Sequence, residues 1–355
     1  MKILTVVGNR PQFIKAVPVS RALQQHGIDE DLLHTGQHYD PLMSEVFFTE
    51  LELPRPAYCL KTGSGPHGRQ TGEMLAAIEE VLQRAEHDAV IVYGDTNSTL
   101  AGALAASKLR IPVAHVEAGL RSRNRDMPEE INRIVTDHVS EWFFCPTSLA
   151  VRNLRHEGIT RNVNRVGDVM LDASLLFGDV SARCSRVMVE LELERKGFVL
   201  VTLHRAGNTD EKDKLAAFAD NLAALAKVEP VVFVVHPRTR ARLEEFGLSS
   251  RLGAARLIEP LSFLDMIQAV RQARVVLTDS GGLQKEAYFH RTPCVTLRSE
   301  TEWEETVEAG WNRLLDPADA GFVEAVVTAR DGGGTIDEYG DGHAASRIAE
   351  ILAAT

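Results

Sequence analysis

The chain has 355 residues, enough for about two domains that each bury a hydrophobic core. Its composition, 44% hydrophobic and 25% charged, is typical of a soluble globular protein, and its net charge of −11 argues against non-specific nucleic-acid binding, which needs an excess of Lys and Arg. Because it has no apolar run of membrane-spanning length, no export signal and no cysteine spacing typical of disulfide frameworks or zinc sites, we expect a cytoplasmic protein that binds no membrane and no metal.

Short apolar runs alternate with amphipathic helical patterns through the first half of the chain. These runs predict strands at residues 3–7, 31–34, 89–93, 112–116 and 142–145. The patterns between them predict helices at residues 13–26, 72–84, 98–109 and 128–140. A proline opens the last of these helices, and proline suits the first helical position.

The second half repeats this alternation after a less regular region near residues 165–195. Its predicted strands are residues 198–203, 230–235, 256–258, 275–277 and 293–297. The order predicts an α/β protein with two parallel, doubly wound sheets and helices on both faces of each. We place the domains at residues 1–168 and 169–341, with a helix in 342–355 that crosses back onto the first. Such sheets bind ligands at the carboxyl ends of their strands, and two facing domains would form a cleft.

A glycine turn between a strand and a helix is the most informative local feature. It reads Thr278-Asp279-Ser280-Gly281-Gly282-Leu283-Gln284-Lys285-Glu286. Adjacent glycines let the backbone approach a ligand closely, and the following helix N-terminus favours phosphate or diphosphate. Glu286 would lie within that helix, where it could accept hydrogen bonds from ribose hydroxyls. The same turn is also a common way to start a helix in any α/β protein.

Polar side chains follow the predicted strands of the first half. Arg10 and Lys15 follow the first strand, where they could hold a diphosphate or simply form a solvated basic helix start. Asp95 and Ser98 follow a later strand, where either could cap a helix, although Asp95 could instead be a carboxylate in the cleft. Glu117 stands where an apolar strand stops, which favours a functional role more strongly.

The loop at residues 121–130 concentrates three arginines before a predicted helix. Glu129 and Glu130 lie in the first turn of that helix, where acidic groups complement the helix dipole. Stability alone could therefore explain both. One of them could equally join Asp95 and Glu117 as a third carboxylate on the same side of the sheet.

Two histidines follow predicted strands in the second half. His204 is the preferred functional candidate because Arg205 is adjacent and the residue would face the cleft. His236 repeats this arrangement after the next strand and is the weaker candidate.

Seven motifs then occur in order along nearly the whole chain. They are Gly8-x-Arg10-Pro11, Gly36-Gln37-His38, Gly94-Asp95-Thr96, His115-Val116-Glu117-Ala118-Gly119-Leu120-Arg121, Pro128-Glu129-Glu130-x-Asn132-Arg133, His204-Arg205 and Asp279-Ser280-Gly281-Gly282-x-Gln284-x-Glu286. Together they resemble the non-hydrolysing UDP-N-acetylglucosamine 2-epimerases.

This resemblance implies two Rossmann-like domains in the glycosyltransferase-B arrangement, usually in a homodimer, with the nucleotide held mainly by the C-terminal domain. It implies interconversion of UDP-N-acetylglucosamine and UDP-N-acetylmannosamine, for cell-surface polysaccharides, by elimination of UDP to 2-acetamidoglucal and re-addition. No nicotinamide, no other cofactor and no metal is implied. The implied catalytic residues are Asp95, Glu117, Glu129 and His204. The implied UDP-sugar ligands are Arg10, Lys15, Ser280, Gly281, Gly282 and Glu286.

Four departures from the family pattern stand out. Asn9 replaces the usual threonine of the first turn, and Gly207 replaces a glutamate of many relatives. The segment 301–305 lacks the arginine that one branch uses near the nucleotide. The segment 38–43 differs from the branch in which UDP-N-acetylglucosamine is also an allosteric activator, so we do not expect that regulation.

Three alternatives remain open. The chain also resembles epimerases of UDP-2,3-diacetamido-glucuronic acid, whose sugar carboxylate would need a cation such as Arg121, Arg123 or Arg125. A glycosyltransferase on the same scaffold is possible because fold does not fix function, although three carboxylates exceed what a simple donor site needs. The third alternative is a sugar-nucleotide sensor without catalysis.

Overall fold

The structure is a computed structural model that describes residues 1–37, 55–63 and 65–355. It forms two compact units, one made of Met1–Ala173 with Asp337–Thr355 and the other of Ser174–Ile336. The sequence suggested a boundary after residue 168 and a returning segment from residue 342. The change of unit at residue 173 lies inside a helix, Val169–Cys184, so no linker composition marks it.

The first unit is built on one parallel sheet. Its strands are β1 (Lys2–Val7), β2 (Asp29–His34), β3 (Tyr58–Cys59), β4 (Ala89–Tyr93), β5 (Val113–Val116), β6 (Trp142–Cys145) and β7 (Val163–Arg165). Their order is β3-β2-β1-β4-β5-β6-β7. The helices between them are α1 (Arg10–Gln25), α2 (His67–Arg84), α3 (Asn97–Lys108), α4 (Pro128–Val139) and α5 (Ser148–His156), and α6 (Val169–Cys184) leads into the second unit.

The second unit repeats this plan. Its strands are β8 (Val199–Leu203), β9 (Val231–Val235), β10 (Arg256–Ile258), β11 (Val275–Thr278), β12 (Cys294–Thr296) and β13 (Asn312–Leu314), in the order β10-β9-β8-β11-β12-β13. Its helices are α7 (Val187–Glu190), α8 (Ala206–Thr209), α9 (Lys212–Leu225), α10 (Pro237–Glu245), α11 (Phe263–Gln272), α12 (Gly281–Phe289), α13 (Glu304–Glu308) and α14 (Phe322–Val327). The last helix of the chain, α15 (Ala344–Ala353), belongs to the first unit.

Both sheets are all-parallel and reverse their strand order once, between β1 and β4 in the first unit and between β8 and β11 in the second. This confirms the predicted α/β class with two Rossmann-like, doubly wound sheets. At such a reversal point, the segments that follow the two neighbouring strands run to helices on opposite faces of the sheet. They leave a crevice at the carboxyl ends of these strands, where ligands bind. The same edge of each sheet therefore carries the candidate residues described below.

Local sequence explains where the helices near these strand ends begin. The Asn9 side chain accepts a hydrogen bond from the Gln12 N–H at 3.2 Å and caps α1. Thr96 caps α3 in a reciprocal capping box with Thr99. The cap of α3 is therefore neither Asp95 nor Ser98, which leaves the Asp95 carboxylate available for another role.

The region near residues 165–195, which looked irregular in sequence, contains the 16-residue helix α6. Its buried positions recur with helical spacing, but three of them are the polar residues Asp172, Ser174 and Ser181. Hydrophobic periodicity is therefore weak in the sequence although burial is periodic in the structure.

The C-terminal segment is held to the first unit by polar contacts. The Asp168 N–H donates to the Tyr339 carbonyl at 2.9 Å, and the Arg347 guanidinium donates to the Val166 carbonyl at 3.0 Å. The Ala345 N–H donates to the Asp172 carboxylate at 2.8 Å, at the start of α15. Among the described residues, no helix is both long and apolar enough to cross a membrane.

Candidate active site

In the first unit, Glu117 and Lys15 form an ion pair at the carboxyl edge of the sheet. Lys15 lies one turn into α1, and Glu117 directly follows β5. Their side chains are only 12% and 9% exposed, so water screens the pair weakly. A Cβ on Gly94, just after β4, would lie 3.3 Å from the Glu117 carboxylate. The glycine thus lets the chain after β4 run close beside this pair.

Glu117 has a left-handed backbone conformation, with φ of 72°. This region is sparsely populated by residues other than glycine, asparagine and aspartate, and such strain persists only where the surroundings enforce it. Gly119, two residues later, has φ of 81°. A Cβ there would lie 2.4 Å from the Ala150 carbonyl oxygen, so only glycine fits. A sharp, strained turn therefore presents the Glu117 carboxylate.

A buried polar cluster supports this turn. His115, fully buried on β5, has Nδ1 2.7 Å from the Asp137 carboxylate and Nε2 2.7 Å from the Gly94 carbonyl. Asp137 also accepts the Gly119 N–H at 3.2 Å and pairs with the Arg121 guanidinium at 2.7 Å. Burial raises the pKa of the Asp137 carboxyl, but the charges and hydrogen bonds of His115 and Arg121 outweigh it and lower the pKa. One carboxylate thus links the turns after β4 and β5.

Asp95 forms an ion pair with Arg133 of α4. The Asp95 side chain is 30% exposed, and its backbone carbonyl accepts a hydrogen bond from the Asn132 amide at 2.9 Å. Asp95 is therefore held by two neighbouring residues of α4, Asn132 and Arg133, while part of its side chain remains open to solvent. Arg133 also pairs with Glu130 at 3.1 Å.

The two glutamates at the start of α4 have different surroundings. Glu130 is 2% exposed and accepts the backbone N–H groups of Ser122 and Arg123 at 2.8 and 2.9 Å. Burial raises the pKa of Glu130, but these two backbone hydrogen bonds outweigh it and lower the pKa. Glu130 thus folds the arginine loop back onto the helix. Glu129 is exposed in the same turn.

In the second unit, Asp279 holds His204 at the carboxyl edge of the sheet. The buried Asp279 carboxylate follows β11 and lies 3.1 Å from His204 Nδ1. It also accepts the backbone N–H of Arg205 at 2.9 Å and the Asn208 amide at 3.1 Å. Burial raises the pKa of Asp279, but these partners, His204 first, outweigh it and lower the pKa. The imidazole is oriented by a buried carboxylate while its side chain stays 40% exposed.

His236 lies beside His204, with ring centroids 5.7 Å apart. Its Nδ1 accepts the Arg238 N–H at 3.2 Å and caps α10. Burial, followed by the positive charges of His204 and Arg238, lowers the pKa of His236. The structure therefore gives His236 a capping role, whereas His204 is held by a carboxylate and partly open.

The glycine turn forms the N-terminus of α12. Ser280 is the N-cap residue, but its hydroxyl makes no capping hydrogen bond with the helix. Gly281 is partly exposed and Gly282 is exposed. Glu286, partly exposed, lies one turn further along. The turn thus offers helix N-terminal N–H groups, which favour an anion.

Three charged side chains surround this turn. Arg298, whose side chain is 9% exposed, donates to the Glu302 carboxylate from its two terminal nitrogens, Nη1 and Nη2, at 2.8 and 3.0 Å. Arg205 lies 3.7 Å from the same carboxylate, and a Cβ on Gly281 would lie 3.6 Å from it. Burial raises the pKa of Glu302, but Arg298 outweighs it and the pKa is lowered. Two arginines therefore stand near the glycine turn with one carboxylate between them.

Comparison with known proteins identifies the family. The sequence model of the UDP-N-acetylglucosamine 2-epimerases matches residues 21–353. The chain belongs to this family. It is similar to a UDP-N-acetylglucosamine 2-epimerase homolog of Methanococcus maripaludis, with 48% identity over 99% of each chain. It is equally similar to the UDP-2,3-diacetamido-2,3-dideoxy-D-glucuronate 2-epimerase of Pseudomonas aeruginosa, with 49% identity over 99% of each chain.

A solved structure of the family is similar over the whole length. The crystal structure of the Methanocaldococcus jannaschii UDP-GlcNAc 2-epimerase in complex with UDP-GlcNAc and UDP has a TM-score of 0.87 to this chain, with 42% identity and 100% coverage of both. Membership of this family makes the protein an isomerase, which confirms the enzyme class expected from the motifs.

Within each unit, the epimerase candidates gather at one sheet edge. In the first unit these are Lys15, Asp95, Glu117 and Glu129, with Arg10 as the first residue of α1. In the second they are His204, Ser280, Gly281, Gly282 and Glu286. Their roles stay predictions. His38, part of one motif, lies outside the described residues.

Sequence reasoning missed the residues that hold the candidates in place. Arg133 holds Asp95, and Asp137 with His115 supports the Glu117 turn. Arg133 and His115 stood inside quoted motifs, which was the available signal. Asp137 carried no signal, because a lone acid inside an amphipathic helix is ordinary in a sequence.

Proposed function

We propose that this epimerase interconverts UDP-N-acetylglucosamine and UDP-N-acetylmannosamine by eliminating UDP and adding it back. The observation that carries the proposal is the pairing of two carboxylates with cations at the β4 and β5 strand ends, Asp95 with Arg133 and Glu117 with Lys15. A redox route would need a nicotinamide site, and the turn after β1 lacks the G-x-G-x-x-G fingerprint. Family membership and the UDP-GlcNAc complex of the M. jannaschii relative support the substrate class.

The chemistry explains why a sugar without an adjacent carbonyl would need several carboxylates. The C2 proton is weakly acidic until the C1–O bond to UDP lengthens and C1 gains oxocarbenium character. The electron pair of that bond then leaves with UDP, a carboxylate takes the C2 proton, and a C1=C2 double bond forms. In the return step a UDP oxygen attacks C1 and a proton reaches C2 from the other face. Asp95, Glu117 and Glu129 supply the proton-transfer and charge-stabilising groups.

The nucleotide would be held by cations and backbone N–H groups. The helix N-terminus at Ser280, Gly281 and Gly282 would bind the departing diphosphate, while Arg10 and Lys15 offset its charge. Glu286 would accept hydrogen bonds from the ribose. His204, which Asp279 orients, would donate a hydrogen bond as negative charge develops on UDP.

The decisive experiment is NMR of the purified protein with UDP-N-acetylglucosamine in heavy water. We expect the manno epimer to appear and deuterium to enter C2 without any acceptor. Glu117→Gln should lower the rate by about 10²- to 10⁴-fold, the range for a proton-transfer group. The matched control is Glu141→Gln, an exposed glutamate beside β6 that contacts Asn162 and should keep wild-type turnover. Absence of both epimer and exchange with wild-type protein would refute the proposal.

A second candidate substrate is UDP-2,3-diacetamido-2,3-dideoxy-glucuronic acid. The 49% identity to the P. aeruginosa enzyme favours it. Of the three arginines considered for its carboxylate, Arg121 is bound to Asp137 and Glu157 at 2.7 Å each and is engaged. Arg123 and Arg125 are exposed. Comparing kcat/KM for both sugar nucleotides decides between them, and inactivity on the acidic sugar would exclude this candidate.

We also propose a cytoplasmic homodimer that serves cell-surface polysaccharide synthesis. The four cysteines are free thiols, which fits a reducing compartment. The family resemblance supports the dimer. Light scattering of the purified protein should give twice the chain mass of 39.1 kDa, and a single-chain mass would contradict the dimer.

A further inference from the structure

Trp303 makes two contacts with the first turn of α12. Its indole N–H donates to the Gly281 carbonyl at 2.9 Å. The Lys285 ammonium lies over its indole ring, 4.1 Å from the ring centroid. Gly281 and Lys285 are four residues apart, so they lie above one another on the helix. One side chain from the segment after β12 therefore holds both the backbone and a cation of the glycine turn.

The Lys285 contact matters because this lysine is only 5% exposed. Removing an ammonium group from water is unfavourable unless other groups compensate for the lost hydration. The negative face of an indole ring is a good partner, and the attraction is stronger where water is excluded. A buried positive charge one turn inside the helix adds to the field of the helix N-terminus, where an anion would bind.

We infer that Trp303 is a positioning residue for the diphosphate of the bound nucleotide. It fixes the Gly281 peptide and keeps the Lys285 charge at the turn that would receive the phosphates. The inference rests on the proposed binding of a UDP-sugar at Ser280, Gly281 and Gly282. Trp303 acts through the turn, so it should affect the affinity for UDP more than the proton transfers at C2.

Two substitutions separate the contacts. Trp303→Phe removes the N–H donor but keeps an aromatic face for Lys285. It should raise the Kd for UDP, measured by calorimetry, about 3- to 10-fold, as expected for one hydrogen bond. Lys285→Met keeps the indole hydrogen bond and should raise the Kd about 10-fold, whereas Lys285→Arg should stay near wild type because the charge remains. For both weakened variants we expect KM to rise and kcat to change less than 3-fold, the pattern of lost uniform binding.

The chain offers a matched control in Trp311. Its indole N–H donates to the Gly334 carbonyl at 2.8 Å, and the Arg291 guanidinium lies 5.3 Å from its ring centroid. Trp311→Phe should change the melting temperature much as Trp303→Phe does, but leave the Kd for UDP unchanged. A merely structural Trp303 would make the two variants alike in both measurements.

The outcomes separate this inference from the proposed function. If wild-type protein does not bind UDP, the proposed function fails. If wild-type protein binds UDP and both Trp303→Phe and Lys285→Met bind it equally well, the positioning role is refuted. If Trp303→Phe is too unstable to purify, Lys285→Met against Lys285→Arg still tests the charge at the turn.

Discussion

Asp137 is the residue whose role differs most from its sequence appearance. Its buried carboxylate meets the His115 ring, the Arg121 guanidinium and the Gly119 N–H. These partners lie 22, 16 and 18 positions away along the chain, so the cluster exists only in the folded state. It ties together the two turns that carry Asp95 and Glu117.

We therefore predict that Asp137→Asn lowers the free energy of unfolding by about 3–5 kcal/mol, because it leaves the buried Arg121 guanidinium without its carboxylate partner. Urea unfolding followed by circular dichroism measures this change. Asp126→Asn, an exposed position in the nearby arginine loop, should change the free energy by less than about 0.5 kcal/mol. Equal effects of the two substitutions would show that the cluster does not stabilise the fold.

Glu129 and Glu130 also differ at the residue scale. Both are acidic residues in the first turn of α4, so their sequence context is the same. The fold buries Glu130 against the N–H groups of Ser122 and Arg123 and leaves Glu129 exposed. The glutamate named by the family resemblance is thus the exposed one, and its catalytic role stays a prediction.

At the scale of elements, central strands buried on both faces were predicted well, and so was the exposed edge strand β10, whose bounds match the prediction. Strands β4 and β6 have the predicted bounds, because continuous apolar runs are typical of central strands in parallel sheets. The short edge strands β3 and β7, and β13 at the edge of the second sheet, were missed. Each has only two or three residues, and β7 and β13 also contain polar side chains, so pairing with a neighbour, rather than local pattern, defines each strand.

The contact between α6 and α15 should make stability depend on pH. Burial raises the pKa of the Asp172 carboxyl from 3.8 to about 6, although the Ala345 and Ala344 N–H groups oppose this. The folded state therefore binds more protons than the unfolded state between these pH values. The stabilisation from this group is present below pH 4 and is lost as pH rises through about 6, a change of up to about 3 kcal/mol.

Asp172→Asn should remove this dependence. The melting temperature of Asp172→Asn minus that of wild type should be larger at pH 7.5 than at pH 4.5, because only the wild type acquires a buried charge on going to the higher pH. Differential scanning fluorimetry at both pH values measures the change. Asp179→Asn, at an exposed position on the same helix, should change the melting temperature by the same amount at both pH values. A constant difference for Asp172→Asn would contradict the raised pKa.

At the scale of the whole molecule, the proposed proton transfer and ribose binding belong to residues of different units, and these two tasks should be separable. Asp95 belongs to the first unit and Glu286 to the second. We predict that Asp95→Asn lowers turnover about 10²- to 10⁴-fold and leaves the Kd for UDP unchanged. Glu286→Gln should raise that Kd about 10- to 100-fold, since it weakens hydrogen bonds to a charged acceptor.

Calorimetry with UDP and the NMR epimerisation assay test both substitutions. If Asp95→Asn weakened UDP binding as much as Glu286→Gln, the division of tasks between Asp95 and Glu286 would be wrong. Exposed Glu350→Gln, on α15 of the first unit, should leave both measurements near wild type.

The sequence by itself determined the α/β class, most of the strands, and the positions after strand ends where the candidate residues lie. These are local properties, since side-chain periodicity and turn chemistry act over a few residues. Tertiary structure alone decided how the candidates are held. Lys15 meets Glu117 across 102 positions, and Trp303 meets Gly281 across 22. Such pairs form because parallel strands bring distant segments to one sheet edge, and no local pattern encodes which side chains meet there.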